Sequence, residues 1–221
     1  MLIEPDIALA ETLFARLRAQ GSDGVGITRD TYGAGEQRAH DLIAATAREL
    51  GLEVARDAAL NLYVTLPGER RDEPVVMTGS HLDSVPRGGN YDGAAGVVAG
   101  AWPCWPAGRA GARGPAATWW GDAPLRQALD EAARAIGVAP RELPSGAGHD
   151  SATFANQGIP TAMLFVRNAH GSHNPEEAMD MADFAAGTRT LGRVLAARAG
   201  LAGAPADARG NTGDSPSCQP A

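Results

Sequence analysis

Pro74-Val75-Val76-Met77-Thr78-Gly79-Ser80-His81-Leu82-Asp83, continued by Gly88-Gly89-Asn90-Tyr91-Asp92-Gly93, decides how this chain folds. Residues 74–78 read as a short strand buried in the middle of a sheet. It delivers His81 at its C-terminal end, where open α/β sheets carry their sites. Alternation puts His81 and Asp83 on one side of the chain. Residues 160–166 form a second apolar strand, which delivers Arg167 and then Ser172-His173-Asn174-Pro175-Glu176-Glu177. Imidazole nitrogen mixed with carboxylate oxygen is the donor set of borderline and hard divalent cations.

Outward from these motifs the chain alternates helical and extended patterns. Apolar positions at Ile7, Leu9, Ala10, Leu13, Phe14 and Leu17 predict a helix between Pro5 and Gly21. Residues 35–50 predict another, stopped at Gly51. Residues 52–54 and 60–66 read as strands. A small-residue helix begins at Gly93, an amphipathic one spans 123–136 behind Asp122 as cap, and a third spans 180–199. Residues 145–151 read as a glycine-loosened turn leading into a short helix. The pattern predicts one catalytic domain over 1–200 and a disordered tail over 201–221.

Residues 101–121 break it. All 4 tryptophans lie there, with prolines at 103, 106 and 115, and periodicity is lost. A surface loop is one reading, but it would expose much aromatic surface. The other is a stretch foreign to the fold, from a frame error or an internal deletion.

Composition excludes several functions. The chain has 221 residues and a formal charge of −7, with no basic excess for nucleic acid or an anionic membrane surface. All 19 basic residues are arginine, so a lysine nucleophile or Schiff base is excluded. The 2 cysteines, Cys104 and Cys218, have no metal or redox spacing. A cytoplasmic protein without signal peptide or membrane span is the expectation.

Each candidate residue has a chemical and a structural reading. Asp83 either orients the His81 imidazole through its second nitrogen or forms a turn. Asp92, behind the Gly88-Gly89 fold-back, either bridges two cations or caps the following helix. His173 is the ligand for a second cation. His149 stands between substrate contact and structural role. Arg167 meets a substrate carboxylate or a surface partner. His170 reads as a loop residue and His40 as solvated. Glu176 and Glu177 read as first-turn helix acids favoured by the helix dipole.

At these residues the chain resembles the amidohydrolase branch of the M20 metallopeptidase family, which includes allantoate amidohydrolases, N-carbamoyl-L-amino-acid hydrolases and ureidoglycolate amidohydrolases. The resemblance runs through Gly26-Ile27-Thr28-Arg29, Gly51-Leu52-Glu53-Val54, Asn61-Leu62, Gly79 to Gly93, Ser145 to Asp150 and Gly171 to Glu177. It implies a three-layer α/β catalytic domain with a mixed, mostly parallel sheet flanked by helices. It implies two divalent metals, zinc or manganese, with His81 on one, His173 on the other and Asp92 bridging. Water activated there would attack a carbamoyl or ureido carbon of a small substrate. The family is homodimeric through a lid domain. It also follows its bridging Asp with a Glu-Glu pair, one member being the general base. No Asp or Glu occurs between Asp92 and Asp122, and no room exists for the lid. The expectation is therefore a hydrolase of linear C–N bonds impaired in this chain. The alternatives are an M20 aminoacylase or peptidase, or a non-catalytic metal-binding remnant.

Overall fold

The computed structural model describes residues 4–68, 71–72, 75–101, 121–143 and 148–199. Among them the order is α1 (Ile7–Gly21), α2 (Ala34–Glu49), β1 (Glu53–Arg56), β2 (Leu62–Thr65), α3 (Ala94–Ala101), α4 (Ala123–Arg134), α5 (Asp150–Asn156), β3 (Asn168–Ala169), β4 (Ala178–Met179) and α6 (Met181–Arg198). The content is α/β. The expected insert over 101–121, apart from its two end residues, and the tail over 201–221 lie outside the described residues, as do residues 145–147 of the expected turn. No described helix is long and apolar enough to cross a membrane.

Three aspartates start helices by the same device. Asp6 accepts a hydrogen bond from the Leu9 N–H at 3.0 Å, Asp122 from Leu125 at 2.9 Å and Asp180 from Ala182 at 2.8 Å. Each such cap contributes about 1 kcal/mol. The apolar stripe of α1 (Ala10, Leu13, Phe14, Leu17) packs on Ala39, Leu42 and Ile43 of α2, on Ala94, Val98 and Ala99 of α3, and on Phe184 of α6. Phe14 is central: its ring meets Tyr91 and Phe184 edge-on, at centroid distances of 5.1 and 5.3 Å. Full burial of such a side chain is worth about 1.5–3 kcal/mol, and each edge contact adds about 0.5–1.5 kcal/mol. Packing around α1 therefore outweighs any single cap.

The strands differ from expectation. β1 and β2 form an antiparallel hairpin with Glu53 opposite Thr65, and β3 and β4 a two-residue antiparallel ladder. The predicted mixed, mostly parallel sheet is not found among the described residues. Residues 75–79 and 160–166 carry no assigned strand, and Val75 and Met77 are each 64 % exposed rather than buried. Among the described residues neither segment has the neighbour at about 4.8 Å that a ladder needs. Helices hold the two segments instead. The Thr78 methyl stands where a side chain at Gly100 of α3 would reach, and Val166 does the same at Gly187 of α6. The Thr161 carbonyl accepts the Asp122 N–H at 2.8 Å.

A turn at 22–29 sets one wall of the site. Asp23 accepts from the Val25 and Gly26 N–H groups, each at 2.9 Å, and from the Thr28 hydroxyl at 2.6 Å. Those bonds to the Gly26 N–H, the Thr28 hydroxyl and the Val25 N–H hold its carboxyl down at about 2. The folded state thus binds this proton less readily than the unfolded chain. The contribution is fully present above about pH 4 and is lost as pH falls toward 2. In urea denaturation at stepped pH, Asp23→Asn should therefore destabilise at pH 6 and show a shallower acid loss than the parent between pH 4 and 2.

Candidate metal centre

His81, Leu82, Asp83 and Ser84 alternate as the sequence predicts: Leu82 is 2 % exposed and Ser84 buried, while His81 and Asp83 face outward. The turn wall fixes this register. Ile27 and Gly88 exchange two backbone hydrogen bonds of 2.9 Å, and the Ser84 N–H donates to the Arg29 carbonyl at 2.9 Å. The Arg29 N–H donates to the Ser84 hydroxyl at 2.9 Å. Nδ1 of His81 lies 3.1 Å from Oδ1 of Asp83 and 3.1 Å from the Asp83 carbonyl oxygen. Oδ2 of Asp83 accepts from the Thr31 hydroxyl at 2.6 Å. This network favours the proton on Nδ1 and leaves the Nε2 lone pair available to a cation.

The loop 88–93 brings Asp92 to the His173 imidazole and sets Gly93 beside that of His81. Gly88, Gly89 and Asn90 are buried, and the Asn90 amide donates to the Phe14 carbonyl at 3.0 Å, which ties the loop to α1. Gly93 has φ +64°, and a Cβ there would overlap the His81 ring and carbonyl. The His81 imidazole is thus packed beside the residue that follows Asp92. Nε2 of His173 lies 3.2 Å from Oδ2 of Asp92, with the His173 side chain 67 % exposed. The β3–β4 ladder closes the loop 170–177 that carries His173. Asn174 fills that loop: its amide donates to the Gly171 carbonyl at 2.9 Å and to the His170 carbonyl, and its oxygen accepts the Glu176 N–H at 2.8 Å.

Two residues given little weight by the sequence lie against this group. Glu177 is 5 % exposed and accepts from the N–H of Tyr91 at 2.7 Å and of Asp92 at 3.3 Å. It is not a first-turn helix acid, because α6 starts only at Met181 behind Asp180. Arg29 is 1 % exposed, with Nε donating to the Leu82 carbonyl at 2.6 Å and both terminal nitrogens unpaired. Burial draws the Arg29 pKa below its ordinary value, while Asp83, Asp92 and Glu177 oppose that pull. A guanidinium keeps its proton regardless. Three carboxylates against one buried cation leave the group net negative, the sign a divalent ion requires.

The remaining predicted residues lie elsewhere. Arg167 forms a two-point ion pair with Asp183, at 2.8 and 2.9 Å. His149 precedes α5 and meets Phe165 edge-on at 5.7 Å. His170 is an exposed loop residue with φ +68°. His40 is half-buried rather than solvated; burial lowers its pKa, against the opposing pull of Glu36 3.9 Å away.

The donor chemistry of His81, Asp92 and His173 fits a divalent cation. The ligand number is low: among the described residues no group of three or more His, Cys, Asp or Glu stands ready to hold a metal ion. An ordinary catalytic zinc site has three protein ligands.

Gly93 gives a direct test of the packing. Gly93→Ala should cost about 2–4 kcal/mol in urea denaturation, from the left-handed backbone and the overlap with His81. Gly24→Ala, at φ +90° with nothing within 4 Å of the added carbon, should show the backbone part alone, about 1 kcal/mol.

Comparison with known proteins bears on the family. Residues 108–197 match the family described as Peptidase family M20/M25/M40. An N-carbamoyl-L-amino acid amidohydrolase of Geobacillus stearothermophilus is 48% identical over 94 residues, covering 41% of this chain and 23% of that protein. The allantoate amidohydrolase of Bacillus subtilis is 38% identical over 77 residues, covering 35% of this chain and 19% of that protein. The chain thus matches less than a quarter of the length of either relative. In three dimensions, an amidase of the hydantoinase/carbamoylase family from Burkholderia multivorans superposes with a TM-score of 0.77 at 16% identity, covering 89% of this chain and 98% of that one. Over these stretches the chain is similar to the M20/M25/M40 peptidase family and to N-carbamoyl-amino-acid and allantoate amidohydrolases.

Proposed function

We propose that this chain carries the metal-binding half of a C–N hydrolase active on linear carbamoyl or ureido compounds, and that its turnover is impaired. The observation that supports this best is the approach of His173 to Asp92 at 3.2 Å, with His81 packed against Gly93. His81 and Asp92 would hold one cation, Asp92 and His173 a second, zinc or manganese. A bound divalent cation supplies Lewis-acid polarisation of a carbonyl and lowers the pKa of water. Asp83, with one oxygen toward His81 and one toward Thr31, orients the imidazole rather than taking a proton. His149 stays in the reading as a substrate contact, while Arg167 is assigned to its ion pair with Asp183.

The sequence supports the impairment. No Asp or Glu occurs between Asp92 and Asp122, so that stretch offers no carboxylate to take the proton of an attacking water. Loss of a general base costs about 10²–10⁴ in rate. The reading includes a single catalytic domain over 1–200 in a three-layer arrangement, without a lid, located in the cytoplasm. The 23% of the carbamoylase that is matched supports the substrate class at the level of bond type only.

Ammonia release from allantoate and from N-carbamoyl-L-amino acids, with Mn²⁺ or Zn²⁺ added, tests the proposal. The expected rate is about 10²–10⁴ below an ordinary turnover of about 10 s⁻¹. It should vanish in Asp92→Asn and His173→Ala. Turnover at the ordinary rate would overturn the impairment. Release unaffected by either substitution would overturn the site.

A further inference from the structure

We infer that Glu177 is a positioning residue, whose buried carboxylate sets the placement of Asp92 relative to His173; the inference rests on the metal-centre reading above.

Its Oε2 accepts the backbone N–H of Asp92 itself and that of Tyr91. Glu177 lies four positions beyond His173, in the same Asn174-braced loop. One carboxylate therefore grips the backbone of one candidate ligand from the loop that carries the other. The two loops are more than eighty positions apart in sequence. Besides this grip, the described hydrogen bonds between them reduce to the Gly89 N–H on the Ser172 carbonyl at 3.2 Å. The Asp92–His173 approach is the contact to be explained, so it cannot also be its own support.

Gly89 supplies a second, independent observation. A Cβ at Gly89 would overlap the Glu177 carboxylate and also its Cβ. The overlap with Cβ cannot be relieved by rotating the end of the side chain. The absence of a side chain at 89 and the presence of a carboxylate at 177 are thus two halves of one fitted contact. A buried carboxylate on two backbone N–H groups is a costly arrangement unless charge-assisted bonding and a nearby cation offset it. Arg29, buried with both terminal nitrogens unpaired, is that cation.

Co²⁺ is the probe, added to the full chain and read by calorimetry and by its visible absorption band, with folding of every variant checked by circular dichroism. The parent should bind Co²⁺ and Asp92→Asn should not. Glu177→Ala should bind about 10-fold or more weakly, with an altered band, as expected when the group orienting a ligand is lost. Glu177→Gln keeps a carbonyl oxygen for the two N–H groups and should bind within about 3-fold of the parent, with the parent's band. Gly89→Ala should resemble Glu177→Ala, and the double variant should be no worse than the weaker single one, because both remove the same contact. A folded Glu177→Ala with the parent's affinity and band overturns the inference and leaves the metal centre standing. If Glu177→Ala does not fold, Gly89→Ala decides in its place, and parental binding there overturns the inference. If the parent binds no better than Asp92→Asn, the metal centre and this inference both fall.

Discussion

One constraint governs the site: two loops with no sequence proximity must be held against each other beside the middle of α1. Phe14 provides the apolar anchor, through its edge contacts with Tyr91 and Phe184. Its carbonyl provides the polar one, through the Asn90 amide. Tyr91 and Asn90 immediately precede Asp92, so packing of the core and placement of the carboxylate are the same event. The β3–β4 ladder then closes the other loop over it. No part of this arrangement depends on a continuous sheet. That is why the group survives although residues 75–79 and 160–166 have no ladder partner among the described residues.

Electrostatics sharpen the point. Asp83, Asp92 and Glu177 would repel one another if nothing intervened, and repulsion between near carboxylates is strong where water is excluded. Arg29 sits among them with its Nε fixed on the Leu82 carbonyl and its remaining donors uncommitted. The turn that presents Arg29 is itself held by Asp23. A local motif near the start of the chain therefore supplies the charge that lets the later motifs converge.

Much of this was legible in the sequence, and the division has a physical basis. Helices α1, α2, α4 and α6 announce themselves because their signals are local: an aspartate cap, a 3.6-residue apolar stripe, a glycine stop. His81 and Asp83 on one side followed from alternation alone. The apolar segments 74–78 and 160–166 misled, because an apolar run declares a preference for burial and says nothing about whether a neighbouring strand is present to satisfy it. Glu177 was hidden for a different reason. A glutamate after His-Asn-Pro looks like the first turn of a helix, and only the position of Asp180 as cap shows that the helix starts later. Arg29 was visible only inside the motif Gly26-Ile27-Thr28-Arg29, since no periodicity marks a lone buried guanidinium.

The distance along the chain between Asp92 and His173 has a further consequence. An ion shared by these two side chains would act as a removable crosslink, closing a loop of roughly eighty residues. In the chain-entropy picture a tie of that span penalises the unfolded ensemble by about 4–5 kcal/mol. Such an ion would serve as a staple for the whole molecule as well as a reagent, and a chelator would loosen far more than the two loops it touched.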